Sequence, residues 1–221
     1  MNQNFLKKKV AIEALKYIKQ DYIVGIGTGT TVNYFINELK KIIHKIKYFV
    51  SSSYESSKKL KKYNIPILSL DDAGYVDIYI DSADEINNDM QMIKGGGGAL
   101  TKEKIIAELS KIFICIIDES KKVNTLGNFP LPIEIIPMSK LLVYKKLLKI
   151  GGNPIHRKEL ITENGNIILD IHNLSITDPV YIEKKINNIP GVVTVGLFSQ
   201  RKADIVLIGK NKSINTIKNI N

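Results

Sequence analysis

From Asp21 to Asp118 the chain alternates short runs of β-branched and apolar residues with longer stretches of helical composition. That alternation predicts a mostly parallel sheet with helices on both faces, a doubly wound, Rossmann-like α/β domain. Tyr22–Ile26, Lys47–Ser51, Ile65–Leu68, Val76–Ile80 and Ile112–Ile117 read as strands, and Thr31–Ile43 and Tyr54–Tyr63 as helices with partial helical periodicity. Ahead of them, Val10 to Ile18 is apolar but interrupted by Glu13 and Lys16, with no small-residue cleavage site after it. A helix with one wet face fits this better than a leader peptide does.

The pattern changes at Phe129-Pro130-Leu131-Pro132, because two prolines in four residues cannot continue a helix or a central strand. Beyond it come strand Ile133–Ile136, helix Ser139–Ile150, strands Ile155–Ile161 and Asn166–Ile171, helix Pro179–Asn187 and strand Val192–Phe198. The middle strands flank Asn164-Gly165, a hairpin turn signal. The order βαββαβ predicts a smaller, ferredoxin-like α+β domain at 129–202. The last apolar run, Asp204–Ile208, is expected to return to the first sheet, so the larger domain takes 1–128 and 203–221.

Composition narrows the classes. With 221 residues, 44% of them apolar, and no repeat or low-complexity tract, the chain reads as globular throughout. The longest clean apolar run, Ile112–Ile117, is far short of the roughly 20 residues that cross a bilayer, so no membrane partner is expected. Cys115 is the one cysteine, which rules out an internal disulfide and fits a small buried hydrophobe in a cytoplasmic protein. The net charge of +10 raises nucleic acid as a partner. Yet Arg157 and Arg201 are the only arginines among 32 basic residues, the lysines are dispersed, and base and phosphate readers favour Arg. A positive field can still attract a sugar phosphate.

Three segments carry candidate chemistry. Gly25-Ile26-Gly27-Thr28-Gly29-Thr30-Thr31 follows a strand and opens a helix, where backbone N–H groups and the helix N-terminus favour an anion. Thr30 breaks the dinucleotide fingerprint, Ser51-Ser52-Ser53 stands where a ribose-binding acid would, and no Gly-Lys-Ser/Thr ending follows; a structural glycine turn remains open. Asp81-Ser82-Ala83-Asp84-Glu85 comes directly after an apolar strand, where open parallel sheets bind ligands, although helix caps and solvated turns use the same residues. Lys94-Gly95-Gly96-Gly97-Gly98 offers backbone donors beside a positive charge, and a flexible linker would look similar. Glu103 sits in the first turn of the helix after it, which by itself is an ordinary favourable charge at a helix start. Lys121 draws notice only by lying past a strand end. No metal is expected, since His44, His156 and His172 show no ligand spacing.

Gly25–Thr31, Asp81–Ile86, Met90–Leu100 with Thr101-Lys102-Glu103-Lys104, Phe129–Pro137 and Pro190–Phe198 together resemble type A ribose-5-phosphate isomerase along nearly the whole chain. The resemblance implies a cofactor-free aldose–ketose isomerase that interconverts D-ribose 5-phosphate and D-ribulose 5-phosphate, and a homodimer. It assigns substrate contacts to Thr28, Gly29, Thr30, Thr31, to Asp81, Ser82, Ala83, Asp84, to Lys94, Gly95, Gly96, Gly97 and to Lys121. Glu103 becomes the proton acceptor, and Lys94, Asp81 and Asp84 organise ring opening and the oxygen atoms. Two positions depart from the pattern: Ser82 replaces a glycine, and Gly98 extends a glycine run that often ends in alanine. Competing expectations are a sugar-phosphate-sensing module, an amino-sugar-phosphate deaminase and a coenzyme A transferase.

Overall fold

In chain order the computed structural model, which describes residues 3–219, runs α1 (Gln3–Ala14), β1 (Tyr22–Ile26), α2 (Thr30–Glu38), β2 (Ile46–Ser51), α3 (Tyr54–Leu60), α4 (Leu70–Ala73) and β3 (Val76–Asp81). Next come β4 (Glu85–Ile86), β5 (Met92–Ile93), α5 (Leu100–Leu109), β6 (Ser110–Asp118) and β7 (Leu131–Ile135). α6 (Lys140–Ile150), β8 (Asn153–Ile161), β9 (Ile167–His172), α7 (Pro179–Asn187), β10 (Val192–Val195), β11 (Leu197–Phe198), β12 (Ile205–Gly209) and β13 (Ile214–Lys218) complete it. Two compact units result. One takes the described residues of Met1–Ser82, Lys102–Lys121 and Ala203–Asn221; the other takes Ala83–Thr101 and Lys122–Lys202.

The first unit is built on a six-stranded sheet of order β13-β12-β6-β3-β1-β2, parallel except for its edge strand β13. Its central strands are buried runs rather than alternating ones, as expected where helices cover both faces. The wet-faced N-terminal helix buries Val10, Ala11 and Ala14 in the same core as Phe35 and Ile36 of α2 and Ile78 and Ile80 of β3. The run at 204–208 returns to this sheet as β12, parallel to β6. Because β1 lies between β2 and β3, the chain leaves β1 in one direction and β3 in the other, which opens a crevice at their carboxyl ends.

Two expectations need correction here, and one strand is additional. Ile65–Leu68 is not a strand but one parallel bridge from Ile67 to Phe49. Phe49 N–H donates to the Pro66 carbonyl and Leu68 N–H to the Phe49 carbonyl; the next rung would need an N–H from Pro66, which has none. The helix expected to reach Ile43 stops at Glu38 and continues as 3-10 turns at Leu39–Lys41 and Ile43–Lys45. β13, antiparallel to β12, was not foreseen.

In the second unit the order β10-β7-β9-β8 is the ferredoxin-like arrangement, and α6 and α7 bury Val143, Leu147, Ile182 and Ile186 in its core. The turn signal at 164–165 closes the β8–β9 hairpin, with Gly165 N–H donating to the Thr162 carbonyl at 2.9 Å. The expected strand Val192–Phe198 divides at Gly196. Its first half pairs with β7, and its second half leaves for a small sheet of order β11-β5-β4. At the break Gly196 donates to Pro132 at 2.7 Å and accepts from Lys94 N–H at 2.8 Å, so that the two sheets meet on one residue. Residues 83–101 and 122–128 pack with this unit: Glu85, only 4% exposed, accepts from the backbone N–H groups of Gly127 and Phe129 at 2.8 and 2.6 Å.

Candidate active site

In the first unit the glycine loop and the first acid meet at the β1–β3 crevice. Gly27 N–H continues the strand ladder to the Ile80 carbonyl at 2.9 Å, and Gly29, at φ 119°, starts α2. The fully buried Asp81 carboxylate accepts at Oδ1 from Thr28 N–H at 3.1 Å and from Ser82 N–H at 2.7 Å. At Oδ2 it accepts from the Tyr79 hydroxyl. A Cβ on Gly27 would lie 2.0 Å from Asp81 Cγ and Oδ1, so the loop touches this carboxylate only because residue 27 has no side chain. Thr28 Oγ1 and the buried Ser52 Oγ are 2.8 Å apart. Tyr79, Asp81, Thr28 and Ser52 thus form a chain of hydrogen bonds.

Glu103, 3% exposed, belongs to the same unit. Burial first, then the charges of Asp81 and Glu103, hold the Tyr79 hydroxyl well above the usual phenol range. The two carboxylates therefore bear on one buried phenol. Ser82 Oγ donates to the Thr28 carbonyl at 3.3 Å, which ties the two segments together. Thr31 is buried, and the exposed Thr30 accepts from Lys7 Nζ at 2.9 Å. Lys121 is half-buried at the end of the 3-10 turn that follows β6.

The second unit carries Ala83, Asp84 and Lys94 to Gly98. Asp84 N–H donates to the Ile93 carbonyl at 2.9 Å and its Oδ2 accepts Gly96 N–H at 2.8 Å, which fastens the acid to the glycine run. The Lys94 side chain is 2% exposed, with its ammonium 5.4 Å from the centre of the Phe198 ring, within cation–π range. Gly98 closes a turn onto the Gly95 carbonyl at 3.0 Å with φ +80°, a conformation alanine adopts only under strain. The glycine run is therefore an ordered turn, not a flexible linker.

The family model described as ribose 5-phosphate isomerase A (phosphoriboisomerase A) matches residues 48–213. The chain belongs to that family. Ribose-5-phosphate isomerase A of Buchnera aphidicola subsp. Schizaphis graminum is 60% identical over 219 residues, which is 99% of this chain and 100% of the relative. The crystal structure of ribose 5-phosphate isomerase A from Neisseria gonorrhoeae, 44% identical, superposes with a TM-score of 0.96 over 98% of this chain and 97% of its own. A D-ribose-5-phosphate isomerase in complex with phospho-erythronic acid, 36% identical, gives 0.94 over 99% and 100%. The chain is thus an isomerase, and its family acts on a sugar phosphate.

Sequence reasoning missed Tyr79 and Ser52. Tyr79 lay unnoticed inside an apolar strand, yet a tyrosine in a strand buried on both faces needs a partner for its hydroxyl, and that was the available signal. Ser52 was read only as a missing carboxylate. Among the described residues no group of three or more His, Cys, Asp and Glu side chains is arranged to hold a metal ion, and no helix is long and apolar enough to cross a membrane.

Proposed function

We propose that the chain interconverts D-ribose 5-phosphate and D-ribulose 5-phosphate through an enediolate, in the cytoplasm and in the non-oxidative pentose phosphate pathway, with Glu103 as the base. The observation that carries this reading is the buried Glu103 carboxylate in the first turn of α5, sharing its unit and a charged influence on Tyr79 with Asp81. A carbon acid beside a carbonyl needs a positioned base and stabilisation of the oxyanion that develops. Glu103 removes the C2 proton of the open-chain aldose and delivers it to C1, while a proton moves from the C2 oxygen to the C1 oxygen. Lys94 and Asp84 serve ring opening and the oxygen atoms. Asp81, which already accepts two backbone N–H groups and a phenol, holds the first glycine loop in shape for substrate. Thr28 to Thr31 and Lys121 bind the sugar phosphate, as do Ser82, Ala83 and Gly95 to Gly97. The phospho-erythronic acid found with a solved relative supports this, since a phosphorylated four-carbon acid resembles an enediolate truncated by one carbon.

The test is ribulose 5-phosphate formation from ribose 5-phosphate by purified, EDTA-treated protein. Turnover is expected; folded protein that binds the sugar phosphate without converting it would favour the sensing module instead.

Two copies are proposed to form the working enzyme. Met138, Leu141, Leu142 and Leu148, on and just before α6, are 97%, 65%, 44% and 46% exposed, and this apolar face supports a self-association surface on the second unit. Sedimentation velocity should show a dimer that Leu141→Lys dissociates; a parent protein that sediments as a monomer would end the idea.

A further inference from the structure

Arg157 has no place in the chemistry above, yet it reaches into the glycine run from β8 of the second unit. Its Nη1 donates to the carbonyl oxygens of Gly95 and Gly96 at 3.2 and 3.1 Å. Its Nε and Nη2 donate to the two carboxylate oxygens of Asp170 on β9, at 2.8 and 2.5 Å. The register between β8 and β9 shifts between His156 and Ile161, so Arg157 sits where the ladder is irregular and a side chain can be re-aimed. The pair is largely shielded, at 20% and 16% side-chain exposure.

The residue type is itself informative. In a chain with 32 basic residues, Arg occurs at 157 and 201 and nowhere else. A lysine offers three donors on one nitrogen and cannot face a carboxylate with two parallel bonds while reaching two carbonyls on another side; the planar guanidinium can.

The consequence lies in the peptide groups. No peptide bond among the described residues is cis, so each C=O and the N–H that follows it point to opposite sides. The 95–96 peptide is held at both ends, its carbonyl by Arg157 and its N–H by Asp84. The 96–97 peptide is held at its carbonyl by Arg157, which turns the N–H of the exposed Gly97 away from the guanidinium. We propose that Arg157, braced by Asp170, is a positioning residue that presets the Gly97 N–H as a donor to a substrate oxygen. This rests on the isomerase reading of Lys94 to Gly97. It also gives the ferredoxin-like sheet a function: β8 and β9 supply the clamp that orders a catalytic loop. Donors fixed before the reaction are worth more than donors that must be ordered during it.

The test compares Arg157→Lys, Arg157→Ala and the surface control Lys158→Met with the parent and with Glu103→Gln. Both Arg157 variants are expected to lose kcat by on the order of 10- to 100-fold, with KM changed by only a few-fold. Amide exchange should speed up over residues 94–98 and stay at the parent's level over β6. Millimolar guanidinium should restore part of the Arg157→Ala activity. Parent-like turnover of Arg157→Lys would overturn the fork argument. Parent-like turnover of Arg157→Ala, or a loss accompanied by faster exchange throughout the chain, would overturn the positioning role. An inactive parent would instead count against the isomerase reading, and active parent with inactive Glu103→Gln would leave that reading standing whatever the Arg157 variants do.

Discussion

Glu103→Gln is expected to lower kcat by roughly 10²- to 10⁴-fold, the range a positioned general base contributes. The substitution keeps the shape of a side chain that is 3% exposed and removes its basicity, so KM and the thermal midpoint should stay close to the parent's. Initial rates of ribulose 5-phosphate formation, read beside circular dichroism melting, separate the two effects. Near-normal turnover would take Glu103 out of the mechanism and return it to the ordinary role of an acid in a first helical turn. Exchange of the substrate's C2 hydrogen with solvent should fall in parallel, because the same carboxylate carries that proton.

The second large effect concerns stability. Glu134 on β7 is fully buried and accepts at Oε1 from Thr162 Oγ1, Asn164 Nδ2 and Asn166 Nδ2 at 2.8, 3.0 and 2.9 Å. At Oε2 it accepts from Thr101 Oγ1 at 2.5 Å. Glu134→Ala would strand the buried Thr162 hydroxyl and take a partner from Thr101, Asn164 and Asn166, which solvent can reach, and leaving one buried group unsatisfied costs about 1–3 kcal/mol. A loss of about 2–3 kcal/mol is expected, which for a chain of this size lowers the thermal midpoint by roughly 4–12 °C. Thr101 lies two residues before Glu103 on α5, so kcat should fall as well at temperatures where the variant is still folded. A midpoint within about 2 °C of the parent's would show that solvent replaces the carboxylate at little cost.

Much of the molecule was legible because its signals are local. Strand and helix order follows from hydrophobic period, and Asn164-Gly165 named its hairpin outright. Cys115, read as a small buried hydrophobe, is fully buried. The family resemblance, carried by ordered motifs from Gly25 to Phe198, agrees with the family model and with full-length relatives. Where local reading failed, a pairing partner decided. Ile65–Leu68 has strand composition, but Pro66 removes the N–H that its neighbour would need. Val192–Phe198 is one apolar run, but its two ends find different sheets on either side of Gly196.

The sequence by itself determined most of the element order, the doubly wound and ferredoxin-like classes, the family and the residue types offered for chemistry, since each is written in contiguous stretches of chain. Only the tertiary structure decided what those residues touch. It placed the Gly27 backbone against Asp81, bonded Ser52 to Thr28 and Tyr79 to Asp81, and set Arg157 on the carbonyls of a loop 61 residues away. Hydrogen-bond partners distant in sequence leave no periodic trace, because their choice depends on which strands become neighbours and not on the residues beside them.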